Sequence, residues 1–162
     1  MSWLIAPAPV GGAEAAAVLR AYLVDIVARY HGRPATTAEV DQALADAPSD
    51  DLTPPHGAFL LAREGTGSGA VLGCAGVRLM SPDVAELTRV WARPEARGRG
   101  LGSGLLQAAE QAALGLGATT MRLDTRHDLV EARRLYARHG YAETAPYHDG
   151  PYADHFFERH LR

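Results

Sequence analysis

The run Arg97-Gly98-Arg99-Gly100-Leu101-Gly102-Ser103-Gly104 joins an apolar strand, ending in Val90-Trp91-Ala92, to a long helix. That helix carries Leu101, Leu105, Leu106, Ala109, Ala112, Ala113 and Leu116 on one broad face. Glycine lets backbone N–H groups come close to an anion, and the start of a helix adds a partial positive charge. Arg93, Arg97 and Arg99 bring further positive charge to a chain whose net charge is -3. The run therefore reads as a cradle for a phosphate or pyrophosphate. A dinucleotide fingerprint needs a third glycine where Ser103 or Leu105 stands, and a P-loop needs a lysine. All 16 of the Lys+Arg positions are arginine, so P-loop and Schiff-base lysine chemistry are both excluded.

Upstream, Val18, Leu19, Tyr22, Leu23, Ile26 and Val27 recur at helical spacing until Gly32 and Pro34. Thr36 or Thr37 can cap a second, weaker helix through Leu44, and residues 47–57 are Pro-, Asp- and Ser-rich loop. The period then changes. Ala58 to Arg63 and Ala70 to Met80 read as strands around a Gly65–Gly69 turn. A third strand, Val84 to Ala92, follows the turn at Ser81-Pro82-Asp83. Gly115 and Gly117 end the long helix. Beyond it come a strand over Thr119 to Thr125, a short helix over Val130 to Arg138, a strand from Tyr141, and a last strand over Ala153 to His160. With Trp3-Leu4-Ile5 as the first strand, the order is βααβββαβαββ. Helices interrupting a mainly antiparallel sheet make this an α+β fold, expected as one domain over residues 1–162.

The composition, 47% hydrophobic, is that of an ordinary globular domain. The start has neither a basic segment nor a long apolar run, so no signal peptide or membrane span is expected and a cytoplasmic location is. The lone Cys74 lies in an apolar strand and reads as a buried, inert thiol. Net acidity argues against a nucleic-acid partner despite the Arg-Gly-Arg-Gly run. His148, Asp149, Asp154 and His155 show no recognised ligand spacing, so no metal is expected.

Arg97 to Gly102 matches, at every defined position, the Gln/Arg-x-x-Gly-x-Gly/Ala element that the GNAT superfamily of acetyltransferases carries between a strand and a helix. Further along, Ala132-Arg133-Arg134-Leu135-Tyr136-Ala137-Arg138-His139-Gly140-Tyr141 resembles that family's Ala-x-x-Leu/Phe-Tyr-x-x-x-Gly-Phe/Tyr helix-to-strand element. The resemblance covers residues 57–161 well, and the first fifty by element order only. It implies acetyl-CoA as cosubstrate, held where the strand before the glycine turn splays from its neighbour. Backbone groups of Val90, Trp91 and Ala92 would bind pantetheine, and Arg97, Gly98, Arg99, Gly100, Leu101, Gly102 and Ser103 would wrap the pyrophosphate. One position departs from the pattern: many relatives have an asparagine where Leu129 stands.

Acetyl transfer to an amine needs a neutral nucleophile, although an alkylammonium has a pKa of about 10.4. It also benefits from a proton for the leaving thiolate. Glu86, interrupting a strand of apolar neighbours where relatives place a glutamate, is the expected base, and partial burial would raise its pKa from about 4.3. Tyr136 matches the family's tyrosine and is the expected acid, whereas Tyr141 reads as core. Arg89, Asp149 and Asp154 are candidates on the acceptor side, the two aspartates favouring a cationic amine. The acceptor is expected to be a small-molecule or peptide amine, and a homodimer is open. The alternative is a module of the same fold that binds acyl-CoA as a sensor or scaffold without turnover.

Overall fold

The computed structural model describes residues 2–161. Strand β1 (Trp3–Pro7) leads into helices α1 (Ala13–His31) and α2 (Thr37–Asp46), then strands β2 (Gly57–Glu64), β3 (Val71–Ser81) and β4 (Val84–Ala92). A single 3₁₀ turn (Pro94–Ala96) precedes α3 (Leu101–Gly115), β5 (Thr120–Thr125), α4 (Val130–Arg138), β6 (Ala142–Glu143) and β7 (His155–His160). The α+β order expected from the residue pattern is the one observed, and the seven strands form one sheet in the order β1-β2-β3-β4-β5-β7-β6. Every neighbouring pair is antiparallel except β4 and β5.

The helix ends follow local chemistry. Thr36, not Thr37, caps α2: its hydroxyl accepts the Glu39 N–H while Glu39 reaches back to the Thr36 N–H. Gly32 ends α1 in the left-handed conformation, φ 68°. Helix α3 lays Leu101, Leu105, Leu106, Ala109 and Ala113 on one face of the sheet, against Ala85, Leu87, Met121 and Leu123. Each fully buried leucine there contributes about 1.5–3 kcal/mol of apolar burial. The opposite face carries a second core, in which Ala15, Val18 and Leu19 of α1 meet Phe59, Leu61, Cys74 and Trp91.

Two boundaries differ from expectation. The last strand starts at His155, because the Ala153 N–H still closes a turn on Gly150 and Asp154 is occupied with Thr125 and His127. Strand β6 is only two residues long, since Tyr141 turns into the core instead of joining the sheet.

Candidate active site

Strands β4 and β5 share only three register positions: Val84 with Thr120, Ala85 with Met121, and Glu86 with Arg122. Beyond Glu86 the parallel pairing stops while β4 runs on to Ala92, so a gap opens between the two strands. A bulge shapes the β4 wall. Pairing to β3 jumps from Thr88–Gly76 to Trp91–Cys74, so Arg89 and Val90 together oppose Ala75. Arg89 takes φ 58°, an uncommon conformation for a non-glycine residue. The extra residue inverts the alternation: Leu87 faces the α3 core, yet Trp91, four residues on, faces the α1 core.

Glu86 sits where the gap begins and is 6% exposed. Its Oε1 accepts from Arg78 Nε at 2.8 Å and from Arg78 Nη2 at 2.6 Å. Its Oε2 accepts the Tyr147 hydroxyl at 3.0 Å. The next residue, His148, donates from Nε2 to Asp124 Oδ2 at 2.8 Å. Glu86, Asp124 and His148 each offer a polar atom within 4.8 Å of the others. Two consecutive residues of the β6–β7 connection thus grip two carboxylates on neighbouring strands. Burial, and then the charges of Glu86 and Asp124, push the Tyr147 phenol well above its ordinary pKa.

Tyr136 lies on α4 beside Tyr141 and Phe157, 6% exposed. Burial, then nearby Tyr22 and Asp124, raise its pKa, so it stays a phenol throughout the neutral range. Its hydroxyl forms no hydrogen bond among the described residues, whereas Tyr141 donates to Glu110 at 2.8 Å and is core, as expected. Cys74 is fully buried, its Sγ is 3.2 Å from the Arg89 carbonyl, and burial pushes its thiol up to about 12. That burial is what the apolar strand around it suggested.

At the other end of β4, Gly98 and Gly100 adopt φ 77° and 88°. No side chain caps α3 at Gly100, which leaves the N–H groups of its first turn for an incoming anion. Arg99 is exposed and forms no ion pair among the described residues. Arg97 donates to Asp25 Oδ2 at 2.6 Å and to the Ala92 carbonyl at 2.9 Å. Arg93 binds the Val71 carbonyl at 2.7 Å and lies over the Trp91 ring. Ser103 is bonded to His139 at 2.9 Å. These donors suit a pyrophosphate.

The acceptor-side candidates are placed less uniformly. Arg89 turns away into the segment after α2, binding the Ala47 carbonyl, Ser49 and Thr88. Asp154 accepts the His127 N–H at 2.9 Å, and Asp149 is exposed beside His148. The residues that do meet Glu86 are Asp124, Tyr147 and His148, none of which was singled out as a site residue from the sequence. The available signal was the period-two alternation of β5, which sets Asp124 on the face opposite the apolar Met121 and Leu123.

The family model described as acetyltransferase (GNAT) family matches residues 20–141. An uncharacterized N-acetyltransferase of Schizosaccharomyces pombe is 39% identical over 121 residues, 74% of this chain and 72% of that protein. An IAA acetyltransferase of Azospirillum brasilense is 32% identical over 102 residues, 62% of this chain and 63% of that protein. Among solved structures, the PaiA N-acetyltransferase of Thermoplasma acidophilum in complex with coenzyme A superposes with a TM-score of 0.76. Its identity is 18% and the match covers 99% of each chain. With two sequence motifs, a matching sheet and a parted β4–β5 pair in agreement, the chain belongs to the acetyltransferase (GNAT) family.

Proposed function

We propose that this chain transfers the acetyl group of acetyl-CoA to a primary amine by direct attack. The observation that carries this reading is the gap opening at Glu86, with an anion-binding turn at its far end and a buried phenol, Tyr136, at its side. Acetyl-CoA supplies the activated thioester. The N–H groups and arginines of residues 97–103 would hold its pyrophosphate, and the one-sided β4 edge at Val90, Trp91 and Ala92 would hold pantetheine by backbone bonds. Coenzyme A in the PaiA structure supports the same choice of cosubstrate.

Glu86 attracts the ammonium and takes its first proton, directly or through water, so that the lone pair can attack. Tyr136, kept protonated by burial, gives its proton to the departing sulfur. A thiol-release assay with acetyl-CoA and a panel of primary amines tests the reading. Release that depends on an amine supports it. Tight binding of acetyl-CoA with no release for any amine makes the chain a binding module instead.

A further inference from the structure

Joining an alkylammonium to an acetyl group leaves work for a second base. The nitrogen begins with three protons and ends, as an amide, with one. The first leaves before the lone pair can attack, and the second leaves as the C–N bond forms. The sulfur takes up a proton when the C–S bond breaks, so one proton is released overall.

Glu86 is heavily committed: Arg78 occupies one oxygen and Tyr147 the other. Asp124 is different. Its Oδ2 accepts from His148 at 2.8 Å, while its Oδ1 has no hydrogen-bond partner among the described residues. It stands two residues past Arg122, the last residue of β5 that pairs with β4, and so lies where the strands have parted. The parallel register and the period-two alternation put it on the same sheet face as Glu86.

His148 is set as a donor. The Gly150 N–H points at its Nδ1 at 3.0 Å, so the ring proton belongs on Nε2, facing Asp124. Tyr136, 6% exposed, likewise has a hydroxyl with no hydrogen-bond partner among the described residues. The charge of Asp124 is among the causes that raise the Tyr136 pKa, so the two groups share one field.

We infer that Asp124, held by His148, is a second catalytic carboxylate of this site and takes the proton that leaves nitrogen as the C–N bond forms. The inference rests on the acetyl-transfer reading above. His148 acts through Asp124 and is a positioning residue. The charged and titratable groups around Asp124 are Arg122 on its own strand, Tyr22 from α1, Glu86 from β4, Tyr136 from α4, and Tyr147 and His148 from the β6–β7 connection.

The test is the pH dependence of kcat for acetyl-CoA with the best amine of the panel, from about pH 6 to about pH 11, across the amine pKa of about 10.4. Asp124→Asn is expected to keep wild-type Tm and CoA affinity and to lose about 10²-fold in kcat, the lower end for acid–base catalysis. Its deficit should persist at alkaline pH, because the second proton leaves on every turnover, whereas a Glu86→Gln deficit shrinks there. His148→Gln should show the same profile to a smaller degree and add little to Asp124→Asn in the double variant. Turnover of Asp124→Asn within about twofold of wild type overturns the inference, as does a deficit that vanishes at high pH. Full additivity of the two substitutions also overturns it. A wild-type protein that acetylates no amine defeats the acetyl-transfer reading itself, which is a distinct result.

Discussion

Glu86 and Arg122 face each other in the last register position that β4 and β5 share. One position earlier, Ala85 and Met121 are fully buried under α3, so the closed end of the sheet is anchored by packing. One position later the pairing is gone. The carboxylate of Glu86 is therefore fixed at the apex of the gap, and Arg78 and Tyr147 set its orientation.

The turn proposed to hold the pyrophosphate depends on backbone geometry at Gly100. Gly100→Ala should cost about 1–2 kcal/mol, the penalty for an L-residue in the left-handed region. Gly32, at φ 68° and with open space around it, is a control of equal strain far from the turn. Calorimetry should show weaker CoA binding in Gly100→Ala and unchanged binding in Gly32→Ala. Equal affinities in the two variants would show that the turn does not hold the cosubstrate.

Asp25 ties the C-terminal end of β4 and the turn after it to α1 by accepting from Trp91 Nε1 at 2.9 Å and from Arg97 at 2.6 Å. Burial raises its pKa, but the Trp91 and Arg97 bonds outweigh it and hold the carboxyl below its ordinary value. A depressed folded pKa gives stability that is complete above the unfolded value of about 3.9 and is lost as pH falls through the folded one. Wild type should therefore melt above Asp25→Asn at neutral pH, and the difference should close below about pH 3.9. A Tm difference that does not depend on pH would assign the effect to packing.

Tyr136→Phe removes a proton and leaves the ring in its contacts with Tyr141 and Phe157. Turnover should fall by about 10²–10⁴-fold with acetyl-CoA affinity nearly intact. Normal turnover would make Tyr136 a packing residue and leave the thiolate to depart unaided.

Glu110 is buried on α3, where its Oε2 accepts from Tyr141 and from Arg159, both at 2.8 Å. Glu110→Ala strands the Tyr141 hydroxyl in the core, at a cost of about 1–3 kcal/mol. Denaturant unfolding measures it, and a loss well under that range would mean water reaches the Tyr141 hydroxyl.

Local periodicity was enough to locate the elements that bury one continuous face. Helix α3, with Leu101, Leu105 and Leu106 turned inward, and strands β2 to β5 all stood out in the residue pattern. Glu86 was legible for the related reason that a lone acid interrupts an apolar strand. The partners of Glu86 were not legible. Tyr147 lies 61 positions away and reaches it through an irregular connection with no period to read. Asp124 and His148 meet across 24 positions in the same way. Asp154 stood out by charge alone, but its carboxylate serves the His127 backbone. Charge along a loop does not say which way a side chain turns.

The central claim, that Glu86 deprotonates an amine for attack on acetyl-CoA, is tested most directly by the pH–rate profile of Glu86→Gln beside wild type. Glutamine keeps the shape: its oxygen can still accept from Arg78 and its amide nitrogen can donate to the Tyr147 oxygen, so the fold and CoA affinity should persist. The account predicts a large loss of turnover near neutral pH that narrows as pH approaches the amine pKa of about 10.4, where solution itself supplies the neutral nucleophile. A deficit of the same size at every pH, or no deficit at all, would contradict it.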